Sequence, residues 1–202
     1  MMLDQLVREF NKISYIPYDE VRKILAFTTA ASLEKGDIYI APGDYSRKIA
    51  FVLKGLLKTY YCSSDGREYI SNFQKEGDFV APYFEIQNNL PSLRYIEALE
   101  STELITLAYD DLQRLNATSI FWADLGRKVI EKKLADKESK ERDLMLQSAE
   151  ERYYKFLKEK KDLIKRLPQN QIALYLGINP STLSRLKRKE LDMTDELGTI
   201  SQ

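Results

Sequence analysis

Near the carboxyl end, Ser181, Thr182, Ser184, Arg185 and Arg188 recur at spacings that gather them on one side of a helix. Short hydroxyls come first and long cations follow. That order suits a helix lying in the major groove of DNA, where the N-terminal side chains reach base edges. Lys187 and Lys189 flank this face and are expected to contact phosphate. Between Glu151 and Glu190, eleven basic residues stand against four acidic ones, a net of +7. The whole chain of 202 residues is formally neutral, so the remainder carries −7. A basic end on an acidic body is the charge pattern of a nucleic-acid-binding unit joined to another module.

Other chemistries are removed by composition. The chain has no histidine and one cysteine, Cys62. Ser-His-Asp and Cys-His catalysis therefore have no residues to work with. A Cys/His zinc site or a four-cysteine iron–sulfur cluster cannot be assembled from one chain, and an intrachain disulfide is excluded. No enzyme activity, metal or cofactor is expected, and a histidine-dependent cupin-type enzyme on a similar β-roll is disfavoured. Cys62 itself reads as a small core or strand residue. No apolar run reaches the ~18–20 residues that span a bilayer. The start, Met1-Met2-Leu3-Asp4-Gln5, lacks the basic and apolar regions of a signal peptide. A cytoplasmic location is expected.

The residues around the polar face must form the scaffold that presents it. Leu167 to Arg188 reads as two helices about a three-residue turn. Ile172 and Leu176 form the inner face of the first helix, and Ala173 is small where the second crosses it. Gly177 can take the positive φ that ends a helix. Asn179 and Pro180 suit the start of the second helix, which Leu183 and Leu186 anchor inward. Ser148-Ala149-Glu150-Glu151 fits a capping box that opens a preceding helix bearing Tyr153, Phe156 and Leu157. Before it, Ser119 to Gln147 carries a long helical stripe: Trp122, Leu125, Val129, Ile130 and Leu134. Its length exceeds what one small roll can cover, which favours a dimer interface over packing on its own body. The following Asp136 to Glu141 should be solvated.

Upstream, helical spacing over residues 3–13 and 18–26 gives way to period two. Ile38 and Ile40, Ile49 to Leu53, Leu56 to Tyr60, Tyr69 to Phe73, Arg94 to Leu99 and Glu103 to Ala108 read as short strands. Ala41-Pro42-Gly43-Asp44, Ser63-Ser64-Asp65-Gly66 and Gly77-Asp78 read as turns between them. Close strand spacing of this kind indicates a β-sandwich or roll.

A roll, a long helix and a helix-turn-helix in this order resemble the Crp/Fnr family of transcription regulators. The resemblance covers nearly the whole chain. Gly55-Leu56-Leu57-Lys58 with Asp65-Gly66-Arg67-Glu68 is similar to the family's strand–hairpin signature. Gly77-Asp78-Phe79 resembles the start of its phosphate-binding cassette, and Ser148 to Arg152 the lead into its DNA-binding domain. In cyclic-AMP-binding members a Gly-Glu pair follows, whose carboxylate receives the ribose hydroxyls, and a later Arg-Ser-Ala run supplies the arginine for the cyclic phosphate. Here Ala81-Pro82 stands at the first place and Ser92-Leu93-Arg94-Tyr95 at the second, with Arg94 two residues out of register. A shift of two residues moves a side chain ~6–7 Å along a strand. The resemblance therefore implies that cyclic AMP is not the ligand. Haem-sensing and iron–sulfur-sensing relatives need ligands this chain lacks.

Tyr83, Phe84, Arg94 and Tyr95 either line a pocket for an anionic or aromatic effector or pack the roll, with Arg94 in a salt bridge. A regulator without any effector is a third reading. The expected fold is α+β: an antiparallel β-roll over residues 1–118 with flanking helices, a dimerisation helix over 119–147, and an all-α helix-turn-helix domain over 148–202. The expected function is a homodimeric, sequence-specific DNA-binding transcription regulator that reads an inverted-repeat operator. RNA polymerase and a small-molecule effector are further partners the resemblance admits. The competing reading is a ligand-binding sensor module whose helical end contacts a protein. Leu191 to Gln202 is short and acidic, so no β-hairpin wing is expected there, only a weakly packed tail.

Overall fold

The computed structural model describes residues 2–199, with side chains over residues 4–190. Two helices, α1 (Met2–Asn11) and α2 (Tyr18–Leu25), precede eight strands. These are β1 (Thr28–Leu33), β2 (Ile38–Ile40), β3 (Lys48–Lys54), β4 (Leu57–Cys62), β5 (Glu68–Gln74), β6 (Phe79–Val80), β7 (Tyr95–Ala98) and β8 (Thr102–Ala108). A short helix, α3 (Tyr83–Asn88), interrupts them between β6 and β7. The chain continues through α4 (Tyr109–Thr118), the long α5 (Ile120–Leu146), α6 (Ala149–Glu159), α7 (Lys161–Ile164), α8 (Gln169–Leu176) and α9 (Pro180–Thr199).

The strands form two four-stranded sheets, in the orders β1-β8-β3-β6 and β2-β7-β4-β5, and all described pairings are antiparallel. Apolar residues on both faces of the central strands explain the layering. In β3, Ala50 and Val52 point inward and meet Leu57, Ile96 and Leu104 between the sheets. Phe51 and Leu53 point the other way and pack under the amino-terminal helices with Leu6, Phe10, Val21 and Trp122. The second sheet is covered too. Tyr60, Ile70 and Phe73 on its outer face share a core with Tyr153, Phe156, Leu163, Ile172, Leu176 and Leu183. The carboxyl-terminal helices thus pack directly on the roll.

Four elements were not read from the sequence: β1, the two-residue β6, α3 and the four-residue α7. β1 pairs with β8 in unbroken register from Thr28↔Leu107 to Leu33↔Thr102, yet its Thr-Thr-Ala-Ala-Ser run shows no apolar alternation. It is an edge strand with one side exposed, so burial does not impose the pattern. α3 spans six residues, too few for a helical period to register. Of the two readings for Cys62, core or strand, the strand one holds: it ends β4, and its thiol is exposed and free. No described helix is long and apolar enough to cross a membrane.

Candidate functional site

The helix-turn-helix is built from the inside. Ala173 is fully buried, and Ile172, Leu176, Leu183 and Leu186 close the core around it. Gly177 ends α8 at φ 66°, the left-handed conformation that costs a glycine little. Its amide returns to α8, and the Ile178 amide donates to the Ala173 carbonyl at 3.0 Å. That crossed pair of bonds is a Schellman-type stop, which sets the angle at which α9 leaves. Helix α6 braces the pair from behind. Its start is the capping box read from the sequence: the Glu151 amide donates to the Ser148 hydroxyl and the Ser148 amide to the Glu151 carboxylate. Arg152 donates to the Leu176 and Gln147 carbonyls, and the Tyr153 hydroxyl to Glu190 at 2.6 Å.

With Leu183 and Leu186 inward, Ser181, Ser184, Arg185 and Arg188 are exposed on the outer side of α9 and Thr182 is half-buried beside them. Arg185 makes a long 3.4 Å contact to the Thr182 hydroxyl within the helix. The two phosphate candidates differ. Lys187 is half-buried, while Lys189 is exposed and paired with Glu150 at 2.6 Å. Among the described residues no strand follows α9, which is helical through Thr199; residues 200–202 of the expected loose tail lie outside the described residues.

The predicted effector residues are not brought together as one set. Tyr83, Phe84 and Arg94 line a groove of about 880 Å³ between the roll and α5, but Tyr95 does not. Tyr95 lies on the outer face of its sheet, its ring stacked on Tyr60 at 4.9 Å, and packs against the carboxyl-terminal core. Arg94 lies one residue before β7 and turns toward Glu85, whereas Tyr95 opens the strand on its outer side. Arg94 holds Glu85 through three hydrogen bonds of 3.0–3.2 Å and lies over the Tyr61 ring. Glu85 is buried, and the guanidinium is its counter-ion. The sequence reading missed Glu85, because only the fold of α3 carries that carboxylate to Arg94.

The predicted dimer residues also divide. Trp122 (2% exposed) and Leu125 (3%) belong to the chain's own core against Phe10, and the Trp122 indole N–H donates to Glu20 at 2.7 Å. They are unavailable to a partner, which corrects that part of the expectation. Val129 is half-buried, whereas Ile130 (43%) and Leu134 (54%) are exposed. In the stretch after them Asp136, Lys137, Glu138 and Glu141 are exposed as expected, and the correction falls on Lys140. Lys140 donates to the Ile70 and Ser71 carbonyls at 3.1 and 2.7 Å and lies 3.6 Å from the Tyr175 ring centre. Burial, reinforced by the charge of Lys160, pushes its ammonium down to about 7.

Arg166, between α7 and α8, joins the helical end to the roll. It reaches Glu76 through two hydrogen bonds of 2.8 and 3.0 Å and Glu100 through two of 2.9 and 2.8 Å. Burial alone would raise the Glu76 carboxyl. Hydrogen bonds from Arg166 and from the Glu76 and Gly55 amides outweigh it and hold the group below its ordinary value.

Roll, long helix and helix-turn-helix define a class: a cyclic-nucleotide-binding-type β-roll joined through a long helix to a helix-turn-helix. Residues 30–119 match the family described as the cyclic nucleotide-binding domain. The chain is 24% identical over 184 residues to the anaerobic regulatory protein of Pasteurella multocida (strain Pm70), covering 84% of this chain and 64% of that one. It is 25% identical over 170 residues to the fumarate and nitrate reduction regulatory protein of Yersinia pestis, covering 76% and 65%. The chain thus spans just under two thirds of the length of these two relatives. Its fold matches the structure of FixK2 from Bradyrhizobium japonicum with a TM-score of 0.71 at 20% identity, over 83% of this chain and 86% of that one. In sequence and in fold the chain is similar to regulators of the Crp/Fnr type.

Proposed function

We propose that this chain is a homodimeric, sequence-specific DNA-binding transcription regulator, not an enzyme, acting in the cytoplasm. Its parts are the roll over 1–118, the dimer helix over 119–147 and the DNA-binding unit over 148–202. The observation that carries the reading is the outer face of α9. Ser181, Thr182, Ser184, Arg185 and Arg188 share one side of a helix mounted on α8, and the two arginines are exposed. Lys187 and Lys189 are assigned to phosphate, with Lys189 leaving Glu150 when DNA arrives. Relatives named as regulatory proteins support the same function.

Dimerisation rests on α5. Ile130, Leu134, Lys137, Glu141 and Leu144 follow one another at spacings of four, three, four and three, and all are exposed. That is the seam of a two-stranded coiled coil, with apolar ends and a charged middle. A second copy along this seam would present two recognition helices to successive major grooves, ~34 Å apart, and so read an inverted repeat.

The roll does not take cyclic AMP in this reading. A cyclic phosphate would have to displace Glu85 from Arg94, and Ala81-Pro82 offers no carboxylate for the ribose. A different effector in the groove beside Tyr83 and Phe84, and contact with RNA polymerase, are further parts of the proposal. The test is Arg185→Ala with Arg188→Ala. Each substitution is expected to cost about 1–3 kcal/mol of discrimination between cognate and mismatched sites, with the melting temperature unchanged. Unaltered DNA binding, or none in the parent either, would favour the sensor module with a protein partner.

A further inference from the structure

Three turns at one end of the roll converge on the segment that leads into the helix-turn-helix. Glu76 follows β5, Glu100 follows β7, and Gly55 joins β3 to β4 and donates its amide to Glu76 at 2.8 Å. Arg166 bridges both carboxylates with four hydrogen bonds, and Lys75 pairs with Asp162 alongside. Leu163 and Leu167, either side of Arg166, are buried in the core shared with Tyr60 and Phe73. Two residues after Glu76, Asp78 accepts from the Lys75 amide at 3.1 Å and pairs with Lys133 of α5 at 3.5 Å. The same strand–turn run continues through β6 to α3, where Glu85 holds Arg94. One short stretch therefore touches the DNA-binding unit, the long helix and the groove.

We propose that Arg166 is a positioning residue for DNA recognition: it fixes the recognition helix against the roll and makes that placement depend on the β5–β6 turn. The proposal rests on the DNA-binding reading for its consequence, but its geometry can be tested apart from it. A planar guanidinium suits the task because it donates in two directions from one rigid fork, which an ammonium cannot do. With the cation removed, Glu76 and Glu100 are left facing one another without a counter-ion, and like charges push the turns apart. A shift of the β6–α3 segment would move Glu76 and loosen α8 and α9 from the roll.

Cys62, exposed and the sole cysteine, and a Ser181→Cys substitution give two spin-label sites, one on the roll and one on the recognition helix. Labelled chains diluted with unlabelled chains report the distance within one chain. The parent is expected to give a single narrow distribution. Arg166→Gln is expected to broaden it or add a second population, and Arg166→Lys to fall between. Glu76→Gln with Glu100→Gln in the Arg166→Gln background removes the repulsion but not the lost bridge, and is expected to stay broader than the parent. Should Arg166→Gln fail to fold, Arg166→Lys carries the same comparison. On DNA, a panel of inverted repeats with varied spacing is expected to show one preferred spacing for the parent and a lost preference for Arg166→Gln. Distributions that coincide in parent and variants, or an unchanged spacing preference, would overturn the proposal. If the parent binds no DNA, the regulator reading fails while the label distances still decide the role of Arg166.

Discussion

Single residues carry both the proposed recognition surface and its support. Gly55 shows how narrow the tolerance is. It lies at φ 99°, and a Cβ there would stand 2.4 Å from the Thr102 hydroxyl and 2.7 Å from the Ser101 carbonyl. Gly55→Ala combines a strained conformation with overpacking against backbone and is expected to cost roughly 2–5 kcal/mol in denaturant unfolding. Lys140 makes a pH-dependent prediction. Its ammonium sheds its proton near pH 7 in the folded chain and about 10.4 when unfolded. Between those values the unfolded chain binds more protons, so falling pH favours unfolding. Stability relative to Lys140→Met should decline as pH drops from about 10 to about 7 and level off below, as read by chemical unfolding across that range. A constant difference between the two proteins would show that burial does not dominate at this lysine. Sequence reading placed Lys140 in solvent because its neighbours are charged. Only the packing of α8 on β5, which brings Tyr175 over the amine, withdraws it from water.

At the scale of elements, the strongest periodicities were the most legible. The turn at Gly177, the capping box at Ser148 and the strands β3, β4 and β5 follow directly from apolar spacing and turn residues. β1 and α3 did not, since one is a half-exposed edge and the other is under two turns long. The long helix was visible as an element but its faces were merged. Trp122 and Leu125 lie on the side that meets the roll, while Ile130 and Leu134 are turned toward solvent. The alternation of four and three continues through Lys137, Glu141 and Leu144, a signal present in the sequence but hidden by the charges within it. Ile130→Glu with Leu134→Glu should therefore convert a dimer to a monomer in analytical ultracentrifugation, with folding intact because neither side chain is in the core. Trp122→Ala should instead lower stability by about 3–5 kcal/mol, as loss of a buried aromatic does. If Ile130→Glu with Leu134→Glu leaves the dimer whole, the seam lies elsewhere.

For the whole molecule, charge and layering work together. An acidic roll bears a basic helical end, and the two share a core instead of hanging from a linker. The order of modules was readable because each has its own period. Their mutual contact was not, because Tyr60, Ile70 and Phe73 look like ordinary strand residues until Phe156 and Tyr175 are seen beside them. The effector set was the least legible part, since Arg94 is answered by a carboxylate on a helix no pattern announced. The most direct measurement of the account is selection from random double-stranded oligonucleotides by the purified chain at near-physiological salt. Enrichment of an inverted repeat with half-sites about one helical turn apart, lost in Arg185→Ala with Arg188→Ala, is the predicted result. No enriched sequence, or enrichment unaffected by those substitutions, would contradict it.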